Sequence, residues 1–320
     1  MVSIPLSLRW AAVALLLLAT ASCSAGTGAA GPGNGSGTPA SPSPSASVAA
    51  PLTAEISQFR DNYSRQIIEI QLTNTTGEPV TVLAAGLRSP LFASRISWTA
   101  AAAGTELPPH QTKSLPASLP AASCPDQAAE QSRAPEQSRA GQPPAAVEVL
   151  LASAAGATGQ TVTTDAADPF GVLARNNVEM CVAQAAAAIA ELRFAPELEL
   201  SPDARTAFLH LRISPRNSAT DPADRALTID SVGGTTLLEE DPSAPWPSGL
   251  RIDATGPARE LRLGIRPARC DPHAVAEDKV GTLIPLRVSV AGREGVLKID
   301  AGAQLRGRIY DFVTSACGRQ

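Results

Sequence analysis

Apolar and polar residues alternate with period two in four places along this chain. Ile68, Ile70 and Leu72 alternate with polar neighbours, and so do Leu209, Leu211 and Ile213. Val147, Val149 and Leu151 repeat the pattern, as do Leu286, Val288 and Val290. Period two places every second side chain on one face of a sheet, so each run predicts a half-buried strand. Asn74-Thr75-Thr76-Gly77 supplies a turn after the first run, and a longer Pro-rich loop follows the second at 214–226. Gly156 and Gly292 are expected to open hairpin turns. Helical spacing is weaker. Leu305, Ile309 and Phe312 recur at i, i+4 and i+7, which predicts one or two helical turns before Cys317 and, by position, before Cys181. The Ala-rich stretch 182–192 reads as a junction, either a short helix or the entry to a strand.

These runs belong to an internal repeat. Segment 155–181 aligns without gaps to 291–317, with identities at Ala155/Ala291, Gly156/Gly292, Gly159/Gly295, Ala167/Ala303, Gly171/Gly307 and Cys181/Cys317. Upstream landmarks keep the same order: Val80-Thr81-Val82 with Leu227-Thr228-Ile229, Gly86 with Gly233, Trp98 with Trp246, and Cys124 with Cys270. Each copy holds at least five short strands with turn signals between, the pattern of a β-sandwich. The expected domains are 51–186 and 187–320. The first carries a low-complexity insert, 128–144, in which Glu130-Gln131-Ser132-Arg133-Ala134 recurs as Glu136-Gln137-Ser138-Arg139-Ala140. Four cysteines allow three pairings, and only Cys124–Cys181 with Cys270–Cys317 respects the repeat. Each bridge closes a loop of about 50 residues, stabilising by at most about 4 kcal/mol on chain-entropy grounds.

The first fifty residues have a different character. Arg9 precedes an unbroken apolar run, Trp10 to Ala19, too short to span a bilayer and of signal-peptide length. Ala19-Thr20-Ala21 suits an ordinary cleavage site that would release a secreted protein. Ala21-Ser22-Cys23 resembles the end of a lipobox, with Thr20 where Leu is usual. Two features favour lipidation of Cys23. Residues 24–50 contain only Ser, Ala, Gly, Thr, Pro, Asn and Val, which suits a disordered tether. Removing Cys23 from the five cysteines also leaves an even four for an oxidising compartment. The expectation is a lipoprotein signal peptide over 1–22, a tether over 23–50, and attachment to the outer face of the cytoplasmic membrane.

The chain resembles the uncharacterised actinobacterial lipoproteins with tandem immunoglobulin-like domains. The resemblance rests on the Cys23 region, the Ser/Pro/Gly tether, LTNTTGEPVTV at 72–82 and CDPHAVAEDK at 270–279. It covers most of the mature chain and implies a mainly β fold, two immunoglobulin-like β-sandwiches, and no known activity. The cysteines depart from the antibody pattern, because each first Cys follows its Trp and each second Cys closes its copy.

Composition narrows the function classes. The net charge is −4, only 18% of residues are charged, and no basic stripe stands out, so nucleic acid is not an expected partner. Asp271, His273 and Glu277 follow Cys270 closely and could together hold a divalent metal such as zinc. Against this, Asp271-Pro272 is a turn and capping signal, and Gln127 stands where the first copy would need the histidine. Trp98 follows an apolar alternation and reads as core, while Trp246 lies in Pro245-Trp246-Pro247, a more exposed-looking loop. His210 is on the polar face of its strand and is expected to be solvated. No nucleophile elbow, phosphate loop or dinucleotide fingerprint occurs. The sequence therefore points to a non-catalytic binding or scaffold protein with no cofactor, holding a protein partner in the cell envelope. The alternative is a metal-binding protein or metal-dependent envelope enzyme centred on 270–279.

Overall fold

Strands form at each of the four alternating runs, and more form between them. The computed structural model describes residues 51–124, 145–152, 159–217 and 226–318. Residues 1–50, with Cys23 and the tether, lie outside the described residues, as do the insert 128–144 and Gly156. In the first half the strands are β1 (Leu52–Ser57), β2 (Ile67–Asn74), β3 (Val80–Arg88), β4 (Ile96–Thr99), β5 (Thr105–Leu107), β6 (Thr112–Ser118), β7 (Ala145–Leu151) and β8 (Gln160–Ala167). Helix α1 (Val172–Ile189) follows. The second half holds β9 (Ala190–Phe194), β10 (Glu199–Leu200), β11 (Ala207–Pro215), β12 (Ala226–Val232), β13 (Leu238–Glu240), β14 (Leu250–Asp253), β15 (Arg259–Pro267), α2 (Pro272–Ala276), β16 (Leu283–Val290), β17 (Arg293–Asp300) and α3 (Gly302–Cys317).

The repeat reappears as a repeat of strand pairing. The antiparallel ladder β1-β2-β6 returns as β9-β11-β15. The ladder β4-β3-β7-β8 returns as β14-β12-β16-β17. The halves differ in their additional strands, β5 on β3 in the first against β10 on β11 and β13 on β15 in the second, and at one seam. In the first, β1 pairs in parallel with β8 through Ala54↔Ala166 and Glu55↔Ala167, so both ladders join into one eight-stranded sheet. In the second, the ladders remain a five-stranded and a four-stranded sheet. The hairpin between β16 and β17 is closed by Ala291 and Gly292, at φ +47° and +67°. Positive φ at both central residues matches the right-handed twist of the strands, and glycine adopts it without a steric cost.

The inward positions fill two hydrophobic clusters. One contains Ile68, Ile70, Leu72, Val147 and Val149. The other contains Leu209, Leu211, Ile213, Leu286 and Val288, with Leu305, Ile309 and Phe312 of α3. Both bridges expected from the repeat are present, Cys124–Cys181 and Cys270–Cys317. Two such bridges suit an oxidising, extracytoplasmic compartment. Among the described residues, no helix is long and apolar enough to cross a membrane.

Two expectations need correction. The helices are far longer than one or two turns, at 18 residues for α1 and 16 for α3. The boundary expected between 186 and 187 falls inside α1, so no linker separates the halves there. Val172 and Leu173 sit in the first cluster, whereas Val182, Ala186 and Ile189 sit in the second. β9 begins at Ala190, the residue after the helix ends. Close approach at the second half is allowed by Gly295 on β17, where an added Cβ would lie 2.8 Å from Val182 Cγ2.

Candidate functional site

The loop after the second bridge is built from its caps. Asp271 precedes α2 in extended conformation, and its Oδ1 accepts the main-chain N–H of His273 at 3.0 Å, with Pro272 opening the helix. Asp, then Pro, is a helix-start signal because the missing Pro donor would be unsatisfied there in any case. His273 and Glu277 are exposed. Asp271 thus plays the capping role that the sequence favoured, and the three ligands of the metal-binding alternative are not gathered at one point. Among the described residues, no group of three His, Cys, Asp or Glu side chains is placed to hold a metal ion. The residue that organises this loop is the next acid, Asp278. Its carboxylate accepts the Gly281 N–H at 2.8 Å and the Tyr310 hydroxyl at 2.9 Å, and it also accepts the Thr236 hydroxyl. Burial first, and then this hydrogen bond to Asp278, push the Tyr310 hydroxyl up to about 12. Beside it lies a groove of about 600 Å³ between α2 and α3, lined by Pro272, Val275, Ala276, Tyr310, Val313 and the Cys270–Cys317 bridge.

A second arrangement lies on the outer face of the β10-β11-β15 sheet. Registers Glu199↔Phe208, His210↔Arg262 and Arg212↔Glu260 bring these side chains together. The Arg262 guanidinium donates to both Glu199 oxygens, at 3.0 and 2.7 Å, and lies over the Phe208 ring, 3.2 Å from its centroid. His210 places Nδ1 2.8 Å from Glu260 and Nε2 3.1 Å from Glu199. Arg212 Nε closes the ladder on Glu260 at 3.4 Å. The expectation that His210 is solvated needs correction, because its side chain is only 20% exposed between two carboxylates. The Arg262 hydrogen bond holds the Glu199 carboxyl below the usual range, and the His210 hydrogen bond does the same for Glu260. Carboxyls held low stay ionised near neutral pH and serve poorly as general acids. The arrangement presents fixed charge and a stacked ring, which suits recognition of another polar surface.

The two tryptophans are both half-buried against the clusters. Trp246 donates its indole N–H to the Gly264 carbonyl at 2.7 Å, which ties Pro245-Trp246-Pro247 down to β15. Near Trp98, Arg95 lies across Gly86, donating to the Gly86 carbonyl at 3.3 Å and pairing with Glu148. A Cβ at Gly86 would meet that guanidinium, so any other residue there has to move the Arg95 side chain from its place on Glu148.

Sequence reasoning missed the charged ladder. Its local signs were Phe208, His210 and Arg212 at period two on β11, and Glu260 and Arg262 at the same period on β15.

No protein-family model matches this chain, and no characterised protein matches it in sequence. Several solved structures show distant likeness. Red sea bream transglutaminase aligns at 11% identity and a TM-score of 0.20, over 80% of this chain and 32% of its own length. This chain thus spans about a third of that enzyme. The CupB2 chaperone of Pseudomonas aeruginosa aligns at 11% identity and a TM-score of 0.18, covering 73% of this chain and 91% of that one. The YadV chaperone aligns at 11% identity and a TM-score of 0.18, over 74% and 93%. Likeness at this level carries no argument about function.

Proposed function

We propose that this chain is an exported lipoprotein, anchored through Cys23 on the outer face of the cytoplasmic membrane, that binds or scaffolds a protein of the cell envelope. Its two halves are immunoglobulin-like β-sandwiches joined through α1. The recurrence of one pairing order in both halves, closed by one bridge each, supports the sandwich reading. The observation that carries the binding reading is the charged ladder of Glu199, His210, Arg212, Glu260 and Arg262 over Phe208. Its side chains are held by one another rather than free to sweep through water, so little entropy is lost when a partner docks.

The test is crosslinking in intact cells followed by recovery of the tagged chain. One envelope protein recovered in quantity, and lost in Arg262→Glu, supports the reading and locates the surface. A partner lost only when 270–279 is replaced moves the contact to that loop. Recovery of nothing specific overturns the reading. Stoichiometric metal in the purified protein, lost in His273→Ala, would replace it with the metal-binding alternative. Growth with a labelled fatty acid tests the anchor separately: label must appear on the chain and vanish in Cys23→Ala.

A further inference from the structure

Helix α1 changes allegiance at its midpoint, and the first bridge sits at that point. Up to Cys181, its contacts are mainly with the first half. Asp168 caps it by accepting the Val172 and Leu173 N–H groups, at 2.7 and 2.9 Å. Arg175 and Asn176 donate to Gln58 Oε1, at 2.8 and 3.0 Å, and Asn177 donates to the carbonyls of Leu91 and Ser123. Cys181 is bonded to Cys124. One earlier side chain already reaches across: Glu179 takes both of its hydrogen bonds from Lys298 on β17, at 2.7 and 2.8 Å. Beyond Cys181, Val182 packs at Gly295, and Ala186 and Ile189 complete the second cluster. The other bridge differs. Cys317 is the last residue of α3, whose buried residues Leu305, Ile309, Phe312, Val313 and Ala316 all belong to the second cluster.

We infer that the two bridges have unequal reach: opening Cys124–Cys181 loosens both halves through α1, whereas opening Cys270–Cys317 loosens the second half, through α3 and the loop beside it, and leaves the strands of the first in place. The first bridge is thereby a redox-sensitive control on the second half. Its opening needs a dithiol. One thiolate attacks Cys124 Sγ, because Cys181 is buried, and expels Cys181 as a thiolate that takes up a proton. The second thiol of the reagent then attacks the mixed disulfide and releases Cys124 as a thiol. The reagent ends as a disulfide, and two electrons and two protons have passed to the protein. The coupling is reciprocal, so strain on α1 from the second half must also alter the first bridge.

Hydrogen exchange on the full chain tests this. In Cys124→Ser/Cys181→Ser, exchange is expected to quicken at least tenfold in α1 and also in β9 and β17. In Cys270→Ser/Cys317→Ser it quickens in 270–281 and α3, with β1 and β2 unchanged. A change that stops at residue 181 in the first variant overturns the inference, and so does loosening of β1 and β2 in the second. Gly295→Ala keeps every cysteine and removes dependence on the bridge variants folding. Its new Cβ presses on Val182, so dithiothreitol should release Cys124–Cys181 several-fold faster than in the parent, relative to Cys270–Cys317. An unchanged relative rate overturns the coupling.

Discussion

Tyr310 binds its proton more tightly in the folded chain than an exposed tyrosine does, because burial and the Asp278 carboxylate both oppose the phenolate. A folded value raised above the unfolded one stabilises fully below pH 10 and loses that stabilisation as pH rises toward about 12. Tyr310→Phe is therefore expected to flatten the alkaline limb of the urea midpoint against pH, while leaving the limb below pH 9 parallel to the parent. Glu199 and Glu260 act at the other end. Their lowered values stabilise above the ordinary carboxylate range and lose that effect as pH falls through it. Glu69 runs opposite to both. Burial raises its carboxyl despite the Asn62 side chain donating at 2.8 Å. Glu69→Gln keeps an acceptor for Asn62 and removes a buried charge, so it should cost nothing at pH 7 and remove a decline in stability on going from pH 4 to pH 7. Sequence pattern placed Glu69 on the outer face of β2, and that is correct by parity. It is nonetheless only 3% exposed, and the residue that holds it, Asn62, comes from the turn Arg60–Asn62, which no period-two reading of β2 contains.

At the scale of elements, the strands were readable, and of the first helix the turns before Cys181 were expected but not its length or its continuity through 182–189. Ile68, Ile70, Leu72, Leu209, Leu211 and Ile213 are each at most 1% exposed, as alternation required. α1 has no single apolar stripe, because its first turn faces one cluster and its last turns face another. A pattern search that assumes one buried face finds neither in so Ala-rich a segment. Its start was readable only in Asp168, three residues before Gly171. Asp168→Ala removes the acceptor for two helix N–H groups and should cost about 1 kcal/mol, measured by urea denaturation. Leu173→Ala and Ile189→Ala each empty a well-packed place in a different cluster and should each cost about 2–5 kcal/mol.

For the whole molecule, the pairing of cysteines followed from repeat order and parity. The charged ladder did not, because Glu199, His210 and Glu260 meet only through strand registers, His210 lying 11 residues from Glu199 and 50 from Glu260 in sequence. The stretch 182–192, read from the sequence as a short helix or the entry to a strand, is both: α1 runs to Ile189 and β9 starts at Ala190. If 182–192 were a linker, Arg175 and Arg193 would be natural cleavage sites beside it. Native limited trypsin digestion is expected to spare both, since one lies in α1 and the other in β9 paired to β11. Fragments ending at either residue would show a hinge.

A helix that serves two cores also constrains how such a chain can change length. Each residue added between Cys181 and Ile189 turns everything downstream by about 100° and advances it by about 1.5 Å. A single insertion would carry Ile189 away from its cluster, while about seven residues would nearly restore its facing. Insertions and deletions in this span are thus tolerated by the turn, not by the residue.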